Sequence, residues 1–140
     1  MKKLIYVFAL IVSISLISCS GSKDKEPNDG VDRGVGPVKH VDVGATVDQS
    51  MAAEGEKIFV VKCSACHKLD TKYVGPALRQ VTKRRSPEWI MNMILNPDRM
   101  TKENATAKEL LGIHMTQMTN QNLQQADARK LLEYLRSVAN

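Results

Sequence analysis

The chain has 140 residues, twenty Lys and Arg against fifteen Asp and Glu, a formal net charge of +5, and 4% aromatic content. A nucleic-acid binder of this size would carry a far stronger basic stripe, so that class is excluded. Three cysteines are all absorbed by the assignments below, which leaves no disulfide framework to stabilise the fold.

Met1-Lys2-Lys3 and the apolar run over residues 4–17 have the charged and hydrophobic parts of a secretory signal. The run is shorter than the about 20 apolar residues of a membrane-spanning helix. Leu16-Ile17-Ser18-Cys19 resembles the lipobox of bacterial lipoproteins. The resemblance implies a lipoprotein signal peptide over residues 1–18, cut before Cys19, which becomes the lipid-bearing residue. It also implies an exported protein on the periplasmic side of the cell envelope, anchored to the inner or the outer membrane. The other reading is an ordinary cleavage site beside an unrelated cysteine. Durable anchoring needs more than one acyl chain, and the lipoprotein modification normally adds three.

Residues 20–46 carry Gly, Pro, Asp, Lys and single valines with neither a 3.6 nor a 2 periodicity, which predicts a flexible membrane tether over residues 19–47. Val31, Val35, Val38, Val41, Val43 and Val47 are spaced too sparsely among polar residues to build a core, although part of the segment has room to lie along the folded domain. His40 is expected to be solvated. One domain then remains, residues 48–140, with fourteen Lys and Arg against ten Asp and Glu. Its densest cluster, Lys83-Arg84-Arg85, suits an encounter with an acidic protein face or a solvated loop equally.

Asp48 is placed to cap a first helix with Met51, Ala52, Gly55, Ile58, Phe59 and Lys62 near one face. That helix runs into Cys63-Ser64-Ala65-Cys66-His67. Two thiols three positions apart, followed at once by an imidazole, form the attachment sequence of a c-type haem. A structural zinc site wants four ligands, usually as two pairs, and no second pair exists. A thioredoxin-like dithiol wants a strand-to-helix junction, and no strand pattern flanks this one. Gly75-Pro76 marks a turn. Ser86-Pro87-Glu88 supplies a cap, a first-turn proline and an acid for a second helix with Trp89, Ile90, Met93 and Ile94, which must stop near Asn96-Pro97. A third short helix is predicted over residues 104–111, ending at Gly112. The last spans 124–138, with Ala128, Leu131, Leu132, Leu135 and Val138 as its buried stripe. The domain is all-α, and domains of this size are marginal on their own apolar burial. A covalently held porphyrin supplies the missing core, so the fold should depend on it.

Gly55-x-x-x-Phe59 before C-x-x-C-H, then Val74-Gly75-Pro76-Ala77-Leu78, Trp89, a methionine loop and a final helix ending Leu131-Leu132-Glu133-Tyr134-Leu135 together resemble the class I cytochromes c. The resemblance implies the cytochrome c fold, about four helices around one haem c attached through Cys63 and Cys66, with His67 on the iron. It further implies a crossing of the first and last helices at Gly55 and Tyr134, a Pro76 carbonyl that receives the other nitrogen of His67, and contact of Leu78 and Trp89 with the haem. Such a bond to His67 fixes ring orientation and raises ligand basicity. In that family the sixth ligand is a methionine with an apolar residue five places later and an aromatic sixteen places later. Met118 meets both conditions through Leu123 and Tyr134, while for Met115 those offsets land on Asn120 and Leu131. Met115, His114 and Met100 stay open, because methionine and histidine both ligate haem. Thr119 stands where the family commonly has proline, and Gln124 where it has a Ser or Thr cap. Met51, Met91 and Met93 read as adaptable core filling. The ring nitrogen of Trp89 is expected to find a polar partner, a propionate among the candidates.

His67 and Met118 together would leave the iron no open position, and methionine ligation raises its potential. The chain is therefore expected to be a monomeric electron-transfer protein and not an enzyme, passing single electrons between redox proteins. A quinol-oxidising complex would be the donor and a terminal reductase or oxidase the acceptor. The alternative is a haem enzyme or gas sensor with an open or displaceable sixth position. A third reading is a haem-free lipoprotein. Residues 89–97, with Asn120-Gln121-Asn122-Leu123, also resemble the small lipoprotein cytochromes that accompany nitrous oxide reductase, which implies that enzyme as acceptor.

Overall fold

The computed structural model describes residues 29–139, so the signal peptide and Cys19 lie outside the described residues. Within that range the regular structure is entirely helical, as expected: α1 Gln49–Lys62, α2 Val81–Arg84, α3 Pro87–Leu95, α4 Pro97–Glu103, α5 Ala105–His114 and α6 Gln125–Ser137. Two of these, α2 and α4, were not expected. The Asn96-Pro97 pair that ends α3 also opens α4, since proline is well suited to the first helical position.

The caps are those read from the residues. Asp48 accepts the Met51 N–H at 2.9 Å, and Ser86 accepts the Trp89 N–H at 3.2 Å. At the start of α6 the N–H of Gln124 donates to the Asp127 carboxylate at 3.3 Å, so an acid reaching back from the first turn helps where a Ser or Thr cap is lacking. The third helix is longer than predicted. It runs through Gly112 to His114, and the left-handed residue that closes it is Met115, at φ 51°.

Helix α1 packs chiefly on α6 through the buried stripe Ala52, Gly55 and Phe59. A Cβ on Gly55 would overlap the Lys130 carbonyl, with the carbonyl carbon at 2.6 Å and the Leu131 nitrogen at 3.0 Å. The first and last helices cross at Gly55, whose nearest neighbours are α6 backbone atoms, and Tyr134 pairs with Phe59, ring centroids 5.2 Å apart. Met51 and Lys62, expected near the buried face, are exposed, because so close a backbone contact admits only a narrow stripe. Met91 is core, as expected.

The largest correction concerns residues 29–47, the described part of the predicted tether. They form a strap along the domain. Val38 is only 2% exposed, and Val35, Val41 and Val43 pack against the core. The Asn92 side chain accepts the Val38 N–H at 3.0 Å and donates to the carbonyls of Val38 and Arg33 at 2.9 and 3.0 Å. Glu88 accepts the Val41 N–H at 2.9 Å, and Arg136 donates to the Gly44 carbonyl at 2.5 Å. Gly34, at φ +72°, and Gly36 allow this approach, because a Cβ would sit 2.8 Å from the Met100 sulfur and 2.8 Å from Asn92 Cγ, respectively. Single valines suffice here because backbone groups of the strap find polar side chains on the helices, a pairing that hydrophobic periodicity does not register. His40 is exposed, as expected.

Strap and α6 meet at Glu133, which is fully buried. Its carboxylate accepts from Arg129, from Arg136 at 2.7 Å and from the Asp48 N–H at 3.1 Å. Burial alone would push its pKa up; the two guanidiniums and the amide outweigh it and hold the group below the ordinary value of 4.5. With the folded value below the unfolded one, this stabilisation is complete above about pH 4.5 and is lost as pH falls through the folded value. Glu133→Gln should therefore cost about 3 kcal/mol at neutral pH and flatten the acid limb of the stability curve, read by urea denaturation from pH 7 to 3. Asn92→Ala should cost about 2 kcal/mol and raise amide exchange at Val38 specifically, read by hydrogen–deuterium exchange.

Candidate haem-binding site

Cys63 caps α1, its N–H bonded to the Phe59 carbonyl at 2.9 Å, and the N–H groups of Cys66 and His67 turn back onto the Cys63 carbonyl at 3.1 and 2.9 Å. The turn sets both thiols and the imidazole along one wall of a cleft. The loop that follows is tied to this turn by Gly75 N–H to the Cys66 carbonyl at 2.9 Å and Leu78 N–H to the Lys68 carbonyl at 3.1 Å. Arg79 pins the same loop to the end of α6, bonding Asp70 and, at 2.9 Å, the Val138 carbonyl.

The result is a Pro76 carbonyl oxygen 3.0 Å from His67 Nδ1. A carbonyl only accepts, so Nδ1 carries the proton and Nε2 keeps its lone pair, the form in which imidazole ligates a metal. Gly75 has no side chain because the ring occupies that space: a Cβ would lie 2.8 Å from Nδ1 and 3.0 Å from Nε2.

The cleft holds about 210 Å3 of free volume, well beyond the packing defects of a close-packed interior. Its floor includes Leu131 and Leu135 of α6, one side Trp89, Ile90 and Met93 of α3, and the far end Leu110, Leu111 and Thr116. Pro76 and Leu78 line it as well. An apolar slot of this size, with two thiols and a lone-pair nitrogen on one wall, fits a covalently attached porphyrin. Burial, with the neighbouring Cys66, pushes the Cys63 thiol up to about 11. The attacking cysteine of a thioredoxin-like pair has its pKa lowered instead, and no strand flanks this site.

Of the four candidate sixth ligands, Met118 and His114 line the cleft. Met115 is 87% exposed. Met100 is completely buried beneath the strap, and its sulfur accepts the Val35 N–H at 3.0 Å. Burial, then the charges of Lys72 and His67, hold the His114 imidazole below its ordinary value.

Trp89 lines the cleft, but the polar partner of its ring nitrogen is Asn104, whose Oδ1 accepts at 3.2 Å. The expected polar partner is thus a side chain of the protein. Asn104 is oriented in turn by the strap, its amide donating to Asp32 at 2.8 Å. The basic triplet contributes to the site as well: Arg84 and Arg85 line the cleft, and the Arg85 guanidinium lies 5.3 Å from the Trp89 ring centroid. Sequence reasoning missed Asn104, Arg84 and Arg85 as site residues; only the fourfold step from Arg85 to Trp89 hinted at a shared face.

The family model for cytochrome c matches residues 52–139. The chain belongs to the cytochrome c family. Cytochrome c from Rhodothermus marinus is 48% identical with a TM-score of 0.73, over 74% of this chain and 90% of that one. An engineered form of that cytochrome, bound to a carbene intermediate, is 46% identical with a TM-score of 0.70 over the same shares. Cytochrome c-551 from Stutzerimonas stutzeri is 47% identical over 38 residues, 26% of this chain and 36% of that protein, so this match spans about a third of the relative. As a family member the cytochrome carries one covalently attached c-type haem.

Gly75→Ala should push the imidazole off its seat and break the Pro76 bond. The optical and electron paramagnetic resonance spectra of the matured variant should then contain more high-spin iron than those of the wild type.

Proposed function

We propose that this cytochrome is a lipid-anchored, monomeric carrier of single electrons, with His67 and Met118 as the two axial ligands of its haem. One observation carries the reading: His67, fixed through Pro76, and Met118 line the same apolar cleft, while Met115 is turned to solvent. When bound, the haem supplies a one-electron couple between ferric and ferrous iron. Cys63 and Cys66 hold it through thioether bonds. His67 would offer the Nε2 lone pair and Met118 a thioether to its iron, which would leave no position for a substrate. The Met118 sulfur raises the potential, and the aliphatic side chains of α3 and α6 keep water from the centre.

The partners proposed are a quinol-oxidising complex as donor and a terminal reductase or oxidase as acceptor, nitrous oxide reductase among them. The runs at residues 89–97 and 120–123 support that last choice. Exposed Lys83 and Arg84 beside the cleft suit an acidic docking face. No helix among the described residues is long and apolar enough to cross a membrane, and the anchor proposed is Cys19, on the periplasmic side.

Met118→Ala in the matured protein tests the ligand. We expect loss of the sulfur-to-iron charge-transfer band in the near infrared and a lower potential; an unchanged spectrum moves the ligand to another residue. Carbon monoxide binding by the ferrous wild type would favour an enzyme or gas sensor instead. Cys19→Ser should shift the cytochrome from the membrane to the soluble fraction on ultracentrifugation.

A further inference from the structure

We infer that His114 is a reserve axial ligand, held in the cleft to take the sixth iron position when the Met118 sulfur is lost. The inference rests on Met118 as the resident ligand. Buried polar atoms are nearly always paired. Among the described residues His114 Nδ1 is the one buried side-chain nitrogen or oxygen with no hydrogen-bond partner, and its residue lines the haem cleft. No group among the described residues satisfies it, and the cleft that its residue lines is where a partner can be supplied.

The backbone keeps the two candidate donors in different settings. His114 is the last residue of α5, whose end is closed by the Met115 N–H on the Leu111 carbonyl at 2.8 Å. The left-handed turn at Met115 sends that methionine into solvent, so it does not compete. Met118 lies outside regular structure. Its loop is tied to the helices through Thr101 to Gln117 at 3.1 Å and Asn120 to the Leu95 carbonyl at 3.5 Å. A donor fixed by a helix therefore stands beside one carried by a loop.

The exchange balances simply. One dative bond from sulfur breaks, one from a neutral imidazole nitrogen forms, and no proton or electron moves. Sulfur can be lost as donor when a peroxide oxidises the thioether to sulfoxide, delivering one oxygen and leaving as water or an alcohol. With two histidines the iron stays closed to small molecules, at a lower potential than with methionine. The damaged carrier is thereby kept from exposing an open iron site.

Four matured proteins decide the matter: wild type, Met118→Ala, His114→Ala and the double variant. They are compared by near-infrared magnetic circular dichroism, electron paramagnetic resonance and carbon monoxide binding. We expect the sulfur band in wild type and His114→Ala, a low-spin bis-imidazole spectrum in Met118→Ala, and high-spin iron with at least tenfold faster carbon monoxide binding in the double variant. High-spin iron in Met118→Ala, matching the double variant, overturns the inference and leaves Met118 as ligand. Survival of the sulfur band in Met118→Ala overturns the Met118 assignment and this inference with it. Should Met118→Ala fail to mature, wild type and His114→Ala treated with hydrogen peroxide provide the same contrast: identical high-spin products overturn the inference, and low-spin iron in wild type alone supports it.

Discussion

The contact of α1 with α6 at Gly55 is the constraint on which the site is built. Two helices approach backbone to backbone only where one of them lacks a side chain, and here the Lys130 carbonyl fills the space that a Cβ would take. The end of α1 is thereby fixed over Leu131 and Leu135, with Cys63 as its cap. Phe59 and Tyr134 close the contact on one side. A larger residue at position 55 would lift α1 and carry both thiols away from the cleft, so cofactor attachment and helix packing are one geometric problem.

The protein supplies half a core, and the porphyrin completes it. Leu131 and Leu135 are buried in the packed core and also line the cleft, so the same side chains serve the core and the seat of the cofactor. Polar groups around the cavity are used as struts: the Pro76 carbonyl for His67, Asn104 for Trp89, Arg79 for the loop between them. Each holds a ring or a loop from behind and leaves the inner surface apolar. Such positioning keeps ligand orientation independent of solvent.

The attachment turn, the Ser86 and Asp48 caps and the stripe on α6 were legible because each is a local pattern of fixed spacing, whereas the Pro76 bond was implied only by the resemblance to class I cytochromes c. The contact of Gly55 with Lys130 was less so: a glycine announces a close approach without naming what approaches. Helix α4 stayed hidden because Asn96-Pro97 reads as a stop, and its second role as a start depends on where the chain goes next. The strap was misread for a different reason. Its stabilising groups are mostly on other elements, Asn92, Glu88 and Glu133, and composition describes a segment without its neighbours. Asn104 in the site followed the same rule, being visible as the start of a helix but not as the partner of Trp89.

Because the strap is bonded to the domain from Asp32 onward, any leash to a lipid at Cys19 comprises at most the thirteen residues 19–31, where the composition suggested nearly thirty. A fully stretched chain of thirteen residues reaches at most about 45 Å. On such a leash the haem would patrol only a thin shell above the bilayer, never the full width of the compartment. With such an anchor the strap would select partners by altitude: a redox centre within a few nanometres of the same membrane would be in range, and one floating freely would have to come down to meet it.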